Sequence, residues 1–228
     1  ILQPDGITVG ELRGPEPFSE PFDIAVGPDG QIYVLDAAAE RVQIFAGDDS
    51  YVGELPADPS LIGRARGLHV DQEGRIWIAR TPAGQVLALD SSGQVLMTIP
   101  VWPGADSQPV DVVVGLDGSI FVTDAGLHKL VRFDADGRRL LAWDLPVTNS
   151  IDSSHLAVDG AGNLYVSKPE PFLISQLLPS GELVGDWLAM PAGAPPAKPI
   201  GIAVDSSGRV WYVDTVGGMV YVIEPDVG

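Results

Sequence analysis

Short apolar runs recur along this chain at a spacing too regular for chance and too broken for helices. Phe22-Asp23-Ile24-Ala25-Val26-Gly27-Pro28-Asp29-Gly30 aligns with Arg66-Gly67-Leu68-His69-Val70-Asp71-Gln72-Glu73-Gly74. Val110 to Gly118, Ser154 to Gly162 and Ile200 to Gly208 follow the same pattern. The units start at 22, 66, 110, 154 and 200, so the period is 44 residues three times and then 46, with Gly always at the ninth place. A second apolar run follows: Ile32 to Leu35, Ile76 to Ala79, Ile120 to Thr123, Leu164 to Ser167 and Val210 to Val213. Its second place is always aromatic (Tyr33, Trp77, Phe121, Tyr165, Trp211). A third run, as in Val42 to Phe45, Val86 to Leu89 and Leu130 to Phe133, leads to turns such as Ser91-Ser92-Gly93 and Ala135-Asp136-Gly137. Glycine suits such hairpins because it accepts positive φ. A fourth run, such as Arg139 to Trp143, closes the unit.

Four short strands in a period of this length read as one blade of a β-propeller. The expected fold is therefore all-β: one propeller domain over residues 1–228, with five four-stranded blades. The aromatic place reads as packing between blades. Val9-Gly10-Glu11-Leu12 repeats Val52-Gly53-Glu54-Leu55, the fourth strand of the first full unit. The last unit has three strands, ending near Met219 to Ile223, so the segment Ile7 to Leu12 is expected to complete it and remove an exposed edge. Both Ile1 to Gly6 and Ile223 to Gly228 resemble the end of a third strand. That overlap in phase keeps a six-bladed parent with a partial blade as the alternative.

Composition narrows the function classes. The chain has 228 residues, 45% hydrophobic and 19% charged, with 27 Gly and 20 Pro, as suits a compact, loop-rich β domain and not disorder. Its net charge of −18 repels phosphate backbones and anionic lipid, so nucleic-acid partners are not expected. There is no cysteine, which excludes disulfides, thiolate zinc sites and a catalytic thiol. No apolar run is long enough for membrane insertion, and no signal peptide is present. The chain opens at Ile1 without Met, which points to a domain excised from a larger protein. An extracytoplasmic or secreted location is the expectation.

Ile32-Tyr33-Val34-Leu35-Asp36 followed by Arg41-Val42-Gln43-Ile44-Phe45 resembles the NHL repeat, as does Phe121-Val122-Thr123-Asp124 with His128-Lys129-Leu130-Val131-Arg132-Phe133. The resemblance covers nearly the whole chain and implies a propeller, though NHL domains usually carry six blades. It leaves function open, because such propellers serve as protein-, RNA- and sugar-binding modules and as enzymes.

The turns between first and second strands, and between third and fourth, are short and alike. Loops between second and third strands differ from blade to blade, and Pro-rich connections such as Pro100 to Gln108 and Met190 to Lys198 join the blades on the same, opposite face. Blade-specific chemistry on a fixed scaffold is where binding is usually built. There the second strands end in Asp36, Arg80, Asp124, Lys168 and Asp214. The aspartates recur, so capping of adjoining loops is a plain account of them. Arg80 and Lys168 break the recurrence, and Phe18, Trp102 and Phe172 add aromatic contacts. The expected ligand-binding set is Arg80, Trp102, Lys168, Phe172, Asp36, Asp124 and Asp214, with a protein or carbohydrate-like partner and no cofactor.

The alternative is a metal-assisted hydrolase or lyase. The NHL-like peptidylamidoglycolate lyases hold zinc with three histidines at the starts of first strands. The matching places here are Phe22, Arg66, Val110, Ser154 and Ile200, which do not supply that site. His69 falls inside a strand and reads as a packed residue, and His128 reads as a surface one. Gluconolactonase-like propellers use acidic and Asn ligands for a divalent metal. By that resemblance Asp23, Asp111 and His155 would hold an ion such as calcium. A non-catalytic binding module is the main expectation, and this enzyme is the alternative.

Overall fold

A computed structural model describes residues 11–145, 153–189 and 198–225. The repeat units become blades. The first comprises β1 (Pro21–Val26), β2 (Ile32–Asp36), β3 (Arg41–Phe45) and β4 (Tyr51–Glu54). The second comprises β5 (Gly67–Val70), β6 (Ile76–Arg80), β7 (Gln85–Leu89) and β8 (Val95–Pro100), and a short helix α1 (Pro59–Ile62) precedes it. The third holds β9 (Pro109–Val114), β10 (Ile120–Asp124), β11 (Lys129–Phe133) and β12 (Arg139–Asp144). The fourth holds β13 (Leu156–Val158), β14 (Leu164–Lys168), β15 (Leu173–Leu177) and β16 (Leu183–Leu188), and the fifth β17 (Pro199–Val204), β18 (Val210–Asp214) and β19 (Met219–Ile223). Each blade is an antiparallel meander whose strands pair in sequence order. The protein is a five-bladed β-propeller.

The fifth blade shows three strands among the described residues. Most of the segment expected to complete it, Ile7 to Leu12, lies outside them; Glu11 and Leu12, which lie inside, are not in a strand.

Local chemistry explains the repeat. The ninth-place glycines have φ between +76° and +86° (Gly30, Gly74, Gly118, Gly162, Gly208), a region costly for any side chain. Beside them, Asp71 and Asp205 accept backbone N–H bonds within their own turns. Each also accepts the indole N–H of its blade's aromatic, Trp77 at 2.7 Å and Trp211 at 2.9 Å. The short-turn face is thus structural, and the aromatics are anchored in packing.

Apolar clusters fill the seams between successive blades. Tyr33, Leu35 and Val42 of the first blade meet Leu68, Val70, Ile76 and Ile78 of the second. Trp77, Val86 and Ile99 then meet Val112, Ile120 and Val122, and Phe121 and Leu130 meet Leu156 and Val166. Tyr165 and Ile174 meet Val210 and Tyr212. The first strands β1, β5, β9, β13 and β17 lie side by side around the axis and line its channel.

Candidate functional site

The period of 44 residues carries Asp23, Gly67, Asp111 and His155 to the same register, at the start of the channel-lining strands. Three of these four positions are therefore ionisable, on blades one, three and four. Their channel opens into a cavity of about 510 Å³ lined by Asp23, His69, Asp111 and His155 together with aliphatic side chains and the aromatics Trp211 and Tyr212.

Both aspartates act first as latches between blades. Asp23 accepts from Ile24 N–H (2.8 Å) with one oxygen and from Leu68 N–H of the next blade (2.7 Å) with the other. Asp111 repeats this with Val112 N–H (2.7 Å) and Leu156 N–H (2.8 Å). Gly67 makes the approach possible, because a Cβ there would lie 2.6 Å from Val110 O and 2.7 Å from Asp111 Cα.

His155 adds chemistry to this frame. Its Nδ1 lies 3.3 Å from Asp111 Oδ2, and both side chains are nearly enclosed, 12% and 7% exposed. Its backbone N–H donates to Ser167 Oγ (2.9 Å), which in turn donates to Ile200 O of the fifth blade (2.7 Å). Asp111 thus holds the ring and Ser167 the backbone of His155, with no partner for Nε2 among the described residues. Burial disfavours the imidazolium, but the hydrogen bond that Nδ1–H donates to Asp111 and the charges of Asp111 and Asp23 prevail, so the affinity of His155 for a proton is raised; Arg66 opposes this. Asp23 is pushed up to about 7, first by burial and then by the charge of Asp111. Asp23 and His155 therefore both hold a proton more firmly here than they would in water.

The expected trio is thus brought to one place. The four carboxylate oxygens already accept backbone N–H bonds, and among the described residues no three acidic or imidazole groups converge on a point where an ion would sit. His69, read from sequence as a packed strand residue, also faces the cavity; burial lowers its proton affinity against the pull of Asp111 and Asp71. Only the alternation of β5, which puts Leu68 and His69 on opposite sides, could have signalled that.

The other candidates are placed differently. Asp36, Asp124 and Asp214 are buried, and each caps loops at the ends of its blade. Asp36 accepts from Ser19 and Glu20 N–H, Asp124 from Gln108 and Leu127 N–H, and Asp214 from Lys198, Val216 and Gly217 N–H. Their oxygens hold the loops around them, as the capping account of these aspartates expects. Arg80 binds Ser60 O and Gln85, and Lys168 lies 3.7 Å from Asp186. Trp102 lies under the guanidinium of Arg139 at 3.7 Å, and Phe18 packs on Phe45. Phe172 is half-buried at a positive φ of 65°. None of Arg80, Trp102, Lys168 and Phe172 lines the channel cavity.

A family model for the virginiamycin B lyase family matches residues 7–227. The chain belongs to the virginiamycin B lyase family. This supports the propeller implied by the NHL resemblance and gives it a different family. A solved streptogramin B lyase is 21% identical with a TM-score of 0.69, covering 96% of this chain and 73% of that one. A catalytically inactive histidine-to-alanine virginiamycin B lyase from Staphylococcus aureus, solved with quinupristin, is 19% identical (TM-score 0.68; 96% and 74% covered). A gluconolactonase from Xanthomonas campestris is 23% identical (TM-score 0.70; 92% and 74%). At these identities the likeness is one of fold. The family favours the hydrolase-or-lyase alternative over the binding module.

Proposed function

We propose that the chain is an acid–base enzyme that cleaves its substrate at the channel mouth, as a lyase or hydrolase. The observation that carries this is the Asp111–His155 pair, enclosed against a cavity that Asp23 also lines. Asp111 holds Nδ1, which directs Nε2 towards the cavity as the proton-transferring atom. A lyase step needs a base to take a carbon-bound proton while the leaving group departs, and hydrolysis needs one to activate water. His155 suits either, and Asp23, with a proton affinity near neutrality, suits the return of a proton. The names of the family and of its solved relatives support this class of reaction.

The test is turnover of quinupristin and of a simple sugar lactone by the purified protein and by His155→Ala. Turnover of either that falls about 100-fold or more in the variant supports the proposal. Equal turnover by both proteins, or none by either, returns the propeller to a binding role.

A further inference from the structure

A second cavity, of about 390 Å³, opens on the variable-loop face between the second and third blades. Three connections build it. Arg64 and Arg66 come from the link between β4 and β5, Thr81 from the loop after β6, and Asp106, Ser107 and Gln108 from the link between β8 and β9. The chain holds 31 acidic residues against 13 Lys and Arg, so it repels anions overall. Among the described residues this cavity reverses the sign, with two guanidinium groups against one carboxylate.

The walls around the arginines are fixed. Thr81 Oγ1 donates to Pro109 O (2.7 Å) and Ser107 Oγ to Asp124 Oδ2 (2.5 Å). Both hydroxyl protons are thus committed, and the oxygens keep lone pairs for a guest. Arg66 is anchored by its backbone N–H, which donates to Ala79 O (3.1 Å), and its guanidinium lies 5.5 Å from the centre of the Phe22 ring. Arg64 is exposed and sits at a left-handed φ of 61°, which is costly for a residue with a Cβ. A charged side chain kept at a strained loop position does not serve packing, and a ligand is the reason that fits. Arg66 also ties this cavity to the acid–base pair. It directly precedes Gly67, which shares the register of Asp23, Asp111 and His155, and its charge is felt at His155.

We propose that this cavity is an oxyanion subsite, where Arg64 and Arg66 take a carboxylate or phosphate carried by a hydroxylated substrate. The planar fork of a guanidinium matches both anions. Beside it, Thr81, Ser107, Asp106 and Gln108 offer acceptors for the substrate's hydroxyls. An anion seated on Arg66 offsets the charge that opposes protonation of His155, so filling the subsite strengthens the base. That the occupant is a substrate rests on the acid–base reading; that the cavity binds an oxyanion does not.

Glucuronate, glucose 6-phosphate and uncharged glucose are the probes, with affinities measured by NMR titration at one fixed ionic strength. The protein should bind at least one of the two anions about 10-fold or more tightly than glucose, and the preferred one identifies the group. Arg64→Gln removes an exposed side chain without touching the core, and should lower that affinity about 10-fold. Adding Arg66→Gln should reduce it to the level of glucose. No preference for either anion, or an affinity unchanged in Arg64→Gln, overturns the subsite. The imidazole titration of His155, assigned by its loss in His155→Ala, should move to higher pH when the anion is bound. A titration that stays in place shows that the subsite does not serve the pair, and overturns the substrate assignment. Turnover does not enter this test, so the subsite stands or falls apart from the reaction.

Discussion

Oδ2 of Asp111 accepts the backbone N–H of Leu156 at 2.8 Å and lies 3.3 Å from Nδ1 of His155. One oxygen therefore ties the third blade to the fourth and orients the imidazole next to that tie. A residue with both duties separates them on substitution. Asn at position 111 keeps an oxygen for Leu156 but loses the charge that raises the proton affinity of His155. Asp111→Asn should cost about 1–3 kcal/mol of stability, because its NH2 replaces the oxygen that accepts from Val112 N–H, and should lower turnover about 100-fold in the folded protein. If His155 acts as the base, the acidic limb of the pH–rate profile should move to lower pH. A limb that stays in place, measured on whichever substrate is turned over, argues that another group is the base.

Stability should respond to pH at the same site. Unfolded, Asp23 loses its proton near 3.8; folded, it keeps it to about 7. Between those values the folded chain holds a proton that the unfolded chain has released, so this stabilisation is full below 3.8 and is lost as pH climbs to 7. His155, also raised, adds a contribution that is present below 6.5 and is lost as pH rises through its folded value. Asp71 opposes both at the acid end: its lowered value gives stability that disappears as pH falls. Calorimetric melting temperature should therefore fall between pH 5 and 8 by the equivalent of about 2 kcal/mol or more. In Asp23→Asn the slope over that range should flatten, and an unchanged slope would falsify the assignment.

The fold was legible because its signal is repeated. Five glycines at the ninth place and five aromatics at one strand position each mark one backbone requirement, so a single misread unit could not hide the pattern. The site was partly legible: Asp23, Asp111 and His155 were singled out from their places on first strands, and they do share one register. Their chemistry was not legible. A sequence does not show that each aspartate uses both oxygens on backbone N–H groups, one of them in the next blade. Capping by Asp36, Asp124 and Asp214 was legible from their recurrence at the ends of second strands, while the particular loops that they hold were not.

Gly67 should be the most sensitive small position in the channel. It stands where blades one, three and four carry Asp or His, so sequence alone would allow a side chain. A Cβ would meet backbone atoms of Val110 and Asp111 within 2.7 Å, and a backbone cannot swing aside like a long side chain. Gly67→Ala should cost on the order of 1–3 kcal/mol by overpacking. It should also lower turnover, because the strand that it pushes carries Asp111. Denaturant melts and the assay of Asp111→Asn together check both effects.

Asp124 and Lys168 end the second strands of adjacent blades, yet substitution should affect them in opposite ways. Asp124 is 1% exposed and accepts N–H bonds from Gln108, in the connection from the second blade, and from Leu127, in its own loop. Ala there leaves two buried donors without partners, at about 1–3 kcal/mol each. Asp124→Ala should therefore lower stability by roughly 2–4 kcal/mol, less than the full sum because the loops relax towards water. Lys168 has one acidic neighbour at 3.7 Å, Asp186, which is itself partly exposed. Such pairs are worth about 0–1 kcal/mol, so Lys168→Ala should melt within a degree or two of the parent. If Lys168 serves a ligand, its loss will appear in binding or KM and not in the melt. Comparable destabilisation by the two substitutions would show that the aspartate is not the clasp its hydrogen bonds describe.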